Sequence, residues 1–294
     1  MKKKEILSKN PKVMIALDIT EMDAVLLKYV SYLSEVLSPE HFYFVHNIKQ
    51  SKLYNIYEDL LEEENLTVED LIEKALKETI SENYTGKTDF TSIITTDEYT
   101  ESILSHLAKK YKIDMLMIGY KSEFQGTGAL TQKLAKMLNA HLMLIPEEAQ
   151  NQLKKVLVPT DYSSSSVEGF MAAKELTENS DNKLIQGLHV YSIPSYFFPY
   201  INTQKAESKT IAHLKEKEKN FLKKYKLKDQ VTFKNINQED SSIVEIIKDE
   251  ALKNSFDLII VTAHGANTIT SLFLGSVTNE LITSSSYKPV LVIK

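Results

Sequence analysis

Two apolar runs set 143 positions apart constrain this chain more than any other feature. Lys12–Asp18 reads KVMIALD and Lys155–Asp161 reads KVLVPTD; each closes on an aspartate and opens onto a hydroxyl-containing turn and a helix-periodic stretch. Toward the ends of the two halves, His141–Pro146 (HLMLIP) and Pro289–Lys294 (PVLVIK) pair at an offset of 148. Offsets that agree within a few residues over such a separation predict a tandem duplication. The domains should then be 1–148 and 153–294, joined near the polar link EEAQNQL at Glu147–Leu153. A length of 294 residues suits two domains of roughly 150 each.

Each half alternates strand and helix. In the first, Lys12–Asp18, His41–Ile48, Phe90–Thr95, Ile113–Ile118 and His141–Pro146 read as strands, with helical periodicity at Asp23–Leu37, Leu53–Ile80, Tyr99–Lys110 and Gly128–Leu138. The second half repeats this with strands at Lys155–Thr160, Lys183–Val190, Gln230–Ile236, Phe256–Val261 and Pro289–Lys294. Its helices are expected near Ser164–Thr177, Gln204–Tyr225, Ile243–Asn254 and Ser276–Ser284. Uninterrupted apolar strands joined through helices are buried on both faces, so the predicted class is α/β with two doubly wound, parallel, five-stranded sheets. Ligands of such sheets lie beyond the carboxyl ends of the strands, where strand order reverses. That directs attention to Asp18, Asp161 and the loops after Ile118 and Val261.

The loop after Val261 reads TAHGANTITSLFLGS, with Gly265 and the pair Gly275-Ser276 separated by nine residues. Backbone can approach a phosphate closely where no Cβ intervenes, and free amides at a helix N-terminus point at negative charge. The same glycines also serve as ordinary strand-to-helix punctuation. With Asp161 closing the first strand, this half resembles a universal stress protein domain, whose nucleotide loop has the form G-x2-G-x9-G-[ST]. The resemblance implies a strand order of 3-2-1-4-5 in each half and ATP or another adenine nucleotide, with or without magnesium, as ligand. It places Pro159, Thr160, Asp161 and Val190 near base or ribose, and His264, Gly265, Gly275, Ser276 and Val277 near the phosphates. Thr262 stands where the motif has its first glycine, so its side chain would either narrow the pocket or supply a hydrogen bond.

The first half departs further from that pattern. Asp18 and Gly119 are present, but the following loop is several residues shorter; Gly126, Thr127 and Gly128 form a glycine-hydroxyl-glycine cluster that can still present amides to an anion. A tight turn and helix cap is the alternative reading of that cluster.

Other chemistry finds little support in the residues. The net charge of -5, with Lys and Glu interleaved, leaves no basic footprint for nucleic acid. The absence of cysteine removes thiolate catalysis and cysteine-ligated zinc. No apolar stretch has the length of a signal core or a membrane span, which makes the cytoplasm the expected compartment. His46 and His189 recur near the ends of the second strands, where backbone hydrogen bonding is a plainer role than metal binding. Ser163–Ser166 is expected to cap a helix, with Glu168 adding favourable charge in its first turn. The aromatic stretch Tyr191–Tyr200 (YSIPSYFFPY) is expected to form a lid or interface. The expectation is a non-enzymatic, cytoplasmic stress-response protein that binds nucleotide in its second half and acts by ligand-dependent signalling or protection. It would be an intramolecular pseudo-dimer, or a homodimer of such chains, with an unidentified protein partner. The alternative is a nucleotide-independent scaffold that binds a protein or lipid.

Overall fold

The computed structural model describes residues 5–49, 58, 61, 66–121, 127–193, 202–228, 230–264, 274–284 and 286–294. In the first half the elements run β1 (Lys12–Leu17), α1 (Glu21–Leu37), β2 (His41–Lys49), α2 (Val68–Asn83), β3 (Phe90–Asp97), α3 (Thr100–Tyr111), β4 (Met115–Tyr120), α4 (Thr127–Met137) and β5 (His141–Pro146). The second half continues with β6 (Lys155–Pro159), α5 (Ser166–Leu176), β7 (Leu184–Tyr191), α6 (Thr203–Tyr225), β8 (Thr232–Asn237), α7 (Ile243–Lys253), β9 (Leu258–Thr262), α8 (Ser276–Thr283) and β10 (Val290–Ile293). Every expected strand is present. The helix expected from Leu53 is described as a continuous element only from Val68.

Strand order is 3-2-1-4-5 in each half, with all pairs inside a half parallel. The two sheets are not separate, however. β5 and β10 pair antiparallel, Val290 opposite Leu144 and Val292 opposite Leu142, and close a single ten-stranded sheet. An exposed strand edge invites pairing, and each half covers the other's.

The strands carry buried apolar residues on both faces, and each face has one core that runs through both halves. Helices α1, α2, α5 and α6 cover one face, with Leu26, Leu76, Phe170 and Phe221 among the buried residues. Helices α3, α4, α7 and α8 cover the other through Leu104, Leu134, Ile247 and Leu281. Across the join, Gln132 Nε2 donates to Asn279 Oδ1 at 2.7 Å, and a Cβ on Gly128 would lie 2.9 Å from the Thr283 carbonyl oxygen. Glycine is therefore needed at position 128 for a backbone-to-backbone approach of α4 and α8. Two further contacts tie the halves, and a third, from His141 to Ile6, links them within the first half. The Ile6 and Leu7 amides donate to the Glu175 carboxylate on α5, the Lys294 amide donates to His141 Nδ1 at 3.0 Å, and His141 Nε2 donates to the Ile6 carbonyl at 3.1 Å. Burial lowers the His141 pKa, which suits a neutral ring that accepts at Nδ1 and donates at Nε2.

The repeat extends into details that hold β1 and β6 in register. Asp114 Oδ2 accepts the Lys12 amide at 2.8 Å, and Asp257 Oδ2 accepts the Lys154 and Lys155 amides at 2.8 Å. Both aspartates sit just ahead of their fourth strands, again 143 positions apart.

Candidate functional site

The two crevices lie at the carboxyl ends of β1 and β4 in one half and of β6 and β9 in the other, the points where strand order reverses. Each is approached by a turn built on the same backbone. Ile19 and Tyr162, 143 positions apart, both take left-handed conformations, φ 56° and 61°. Asp18 and Asp161 precede them and are exposed.

The two turns are anchored by different chemistry. In the first half Asp23, 2% exposed, accepts the Asp18 amide at 3.1 Å and the Ile19 amide at 2.7 Å. Burial pushes its pKa up to about 6, and the neighbouring Asp18 charge adds to the rise against the pull of the backbone amides. Lys121, which follows β4, reaches over this mouth: its Nζ donates to Asp18 Oδ2 at 2.8 Å and to Thr20 Oγ1 at 2.5 Å. Burial acts to raise the Asp18 pKa, but the hydrogen bonds from Lys121 and Thr20 and the Lys121 charge outweigh it, and the carboxyl stays below its ordinary value. Gly119 has its own structural reason, since a Cβ there would meet Met22 Cγ at 2.5 Å. Gly128 serves the α4–α8 crossing. Thr127 opens α4, and Gly126 lies outside the described residues.

In the second half Ser166 stands in place of Asp23, and hydroxyls take over the anchoring of the turn. Thr160 Oγ1 and Ser166 Oγ are 2.8 Å apart, and the Tyr162 amide donates to Thr160 Oγ1 at 3.0 Å. Asp161 Oδ1 accepts the Ser163 amide at 2.9 Å. The helix α5 is served by Ser163, whose Oγ accepts the Ser166 amide at 3.3 Å, two residues before the boundary residue Ser165, which makes no capping bond of its own. Serine capping is thus present, from Ser163 within the expected run Ser163–Ser166.

On the β9 side, Thr262 Oγ1 donates to the His264 carbonyl at 2.9 Å, so the hydroxyl that replaces a motif glycine is spent inside its own loop. The loop then returns to the sheet: the Gly275 amide donates to the Ala263 carbonyl at 2.9 Å, and Thr278 Oγ1 donates to the Thr262 carbonyl at 2.8 Å. These bonds seat the start of α8 beside the end of β9. Gly275 is its N-cap, Ser276 is exposed, and Val277 packs against the core of the α7–α8 face. Pro159 ends β6 and Val190 lies near the end of β7, both half-buried. Gly265 lies outside the described residues, as does most of Tyr191–Tyr200.

His46 Nδ1 donates to the Leu17 carbonyl at 3.0 Å and His189 Nδ1 to the Thr160 carbonyl at 2.7 Å, the backbone role expected of them. Burial lowers both pKa values and favours the neutral ring. Among the described residues no group of His, Asp and Glu is arranged to hold a metal ion, and no helix is long and apolar enough to cross a membrane. Sequence reasoning missed Asp23, Lys121, Asp114 and Asp257. The repeat offset applied to the acidic residues would have found the last two.

Residues 152–294 match the sequence model of the Universal stress protein family. Nearly the whole chain is similar in fold to two solved structures. One is a universal stress protein from Archaeoglobus fulgidus, with a TM-score of 0.63 and 13% identity over 98% of this chain and 99% of that one. The other is a functionally unknown protein from Pseudomonas aeruginosa, with a TM-score of 0.64 and 11% identity over 97% of this chain and 92% of that one. No curated protein sequence matches the chain. Residues 152–294 therefore form a domain of the universal stress protein family, and the first half repeats its strand order, so the chain is a tandem of two such folds.

Proposed function

We propose that the crevice of the second half binds an adenine nucleotide, and that the chain acts by binding rather than by turnover. The observation that carries this reading is Gly275. Its dihedrals, φ −59° and ψ 145°, are open to any residue, so the backbone does not require glycine. An N-cap favours Ser, Thr, Asp or Asn, whose side chains satisfy a first-turn amide. Among the described residues helix α8 has no side-chain cap, and its first turn holds no acidic residue. A glycine that neither conformation nor capping calls for is what the close approach of an anionic ligand to the positive end of the helix would require.

The second mouth carries one carboxylate where the first carries two and a lysine. Two carboxylates, Asp18 and Asp23, hold the first mouth and Lys121 bridges it. At the second mouth Ser166 has replaced the inner carboxylate, which lowers the repulsion felt by a polyphosphate. Asp161 would face the base or ribose, with Pro159, Thr160 and Val190 around it. Gly275, Ser276 and Val277 would meet the phosphates together with Gly265 and His264. Magnesium would be carried by the phosphates. Occupancy would bias the surface offered to a partner in proportion to the ligand's differential affinity for the two states.

Calorimetry with ATP and AMP tests the reading. One nucleotide is expected per chain, with binding lost in Gly275→Val because a branched side chain occupies the phosphate approach. Absence of heat and of thermal stabilisation at millimolar nucleotide would refute it.

A further inference from the structure

Resting on the nucleotide reading above, we propose that Tyr162 is a positioning residue for Asp161: its ring and hydroxyl lock the turn that presents this carboxylate to the nucleoside part of the ligand. The backbone is the first sign. A bulky side chain at φ 61° is uncommon and persists where its surroundings over-determine it. The surroundings here do so from three elements. The Tyr162 hydroxyl donates to Asn235 Oδ1 on β8 at 2.9 Å. The ring stacks on Phe233 with centroids 5.6 Å apart and an interplanar angle of 29°. It meets Phe221 of α6 edge-on at 5.7 Å and leans on His189 of β7 at 4.8 Å.

The residue on the other side of Asp161 is pinned as well. Thr160 donates its amide to the Leu188 carbonyl at 2.9 Å, and its carbonyl accepts from His189 Nδ1. Asp161 is therefore an exposed carboxylate on an arch whose two feet are fixed to β7 and β8. Burial, with Glu218 nearby, raises the phenol pKa, so the hydroxyl remains a donor to Asn235. The first half lacks this device. Its equivalent residue, Ile19, is held through its backbone by Asp23 and has no polar atom to reach the third strand.

A fixed carboxylate spares the ligand the entropy of ordering the loop, and the gain should appear as affinity. Tyr162→Phe, which deletes the hydroxyl and keeps the ring, is expected to weaken ATP binding about 5- to 10-fold by calorimetry. Asn235→Ala should give a similar loss, and the two together no more than either alone. Action through Asp161 is read from a cycle: in an Asp161→Asn background, Tyr162→Phe should change ATP affinity by less than about twofold. An undiminished affinity in Tyr162→Phe, or the same loss whether or not Asp161 is intact, would overturn the proposal while leaving the nucleotide reading in place. A wild-type protein that binds no ATP would overturn both.

Discussion

Replacing Gly275 by aspartate should make the protein more stable and abolish its nucleotide binding. The position has the geometry of a working cap: φ −59° and ψ 145° lie close to the φ −72° and ψ 156° of Ser242, which caps α7 by accepting the Glu245 amide at 3.1 Å. An aspartate at 275 can reach the amide of Thr278 in the same way. Capping adds a few tenths of a kcal/mol over glycine, and a carboxylate at the helix N-terminus a further 0.3–1, for a gain of about 0.5–1.5 kcal/mol. The same carboxylate would stand about 4 Å from a bound phosphate. At an effective dielectric near 20 the repulsion is about 4 kcal/mol, or a roughly thousandfold loss of affinity. Urea unfolding without ligand measures the first effect and calorimetry with ATP the second; Gly275→Ala, with neither cap nor charge, separates close approach from repulsion. A less stable Gly275→Asp protein, or one that still binds ATP, would refute the argument that glycine is held there for a ligand.

Asp257, 6% exposed, accepts from Gln152 Nε2 at 2.6 Å as well as from two backbone amides, so Asp257→Ala should cost about 3–4 kcal/mol. The half-buried Asp114 accepts the Lys12 amide and Ser8 Oγ, and Asp114→Ala should cost roughly half as much; urea midpoints in the opposite order would contradict this. Gly128→Val places a Cβ 2.9 Å from the Thr283 carbonyl and 3.3 Å from its Cα, backbone that cannot step aside, and should cost about 1–3 kcal/mol in the same assay. Asp23→Ser, which installs the second half's residue, tests pH dependence. With a folded pKa of about 6 against an ordinary 3.8, Asp23 favours the fold in its neutral form, a contribution complete below pH 3.8 and lost as pH rises through 6. Asp18, with a lowered pKa, works in the opposite sense and loses its contribution as pH falls. Relative to wild type, the variant should gain about 2–3 kcal/mol between pH 4 and pH 7; a constant difference would show that Asp23 does not titrate in this window.

Much of the fold is legible because strands buried on both faces must be apolar throughout. KVMIALD and KVLVPTD announce themselves, and the offset of 143 predicts the duplication before any element is assigned. The join of β5 to β10 is less legible, since PVLVIK would read the same as an exposed edge or as a paired strand. Of the site, the glycines and closing aspartates are visible as motif elements, but their uses are not. Gly119 and Gly128 look like ligand-binding glycines and are explained by Met22 and Thr283, whereas the backbone angles of Gly275 do not require glycine. Lys121 is one of many lysines until the fold carries it to Asp18, 103 positions away. Tyr162 resembles any aromatic beside a motif until its dihedral and its bond to Asn235 are known.

The two halves share one framework while their two mouths diverge. Because each face has one core through both copies and β5 closes on β10, neither crevice can lose its supporting half without exposing a strand edge and opening the core. Residues at the two mouths are under no such restraint. The same left-handed turn is kept in both, but a buried carboxylate secures it in one and a hydroxyl pair with a tethered tyrosine in the other. The first solution brings a second negative charge to the mouth and recruits Lys121 to offset it; the second brings none and leaves Asp161 exposed beside an uncapped helix. A shared backbone secured by different side chains is what the proposed binding of one anionic ligand per chain would require, and it is compatible with loss of the glycine motif in the first half without loss of its fold.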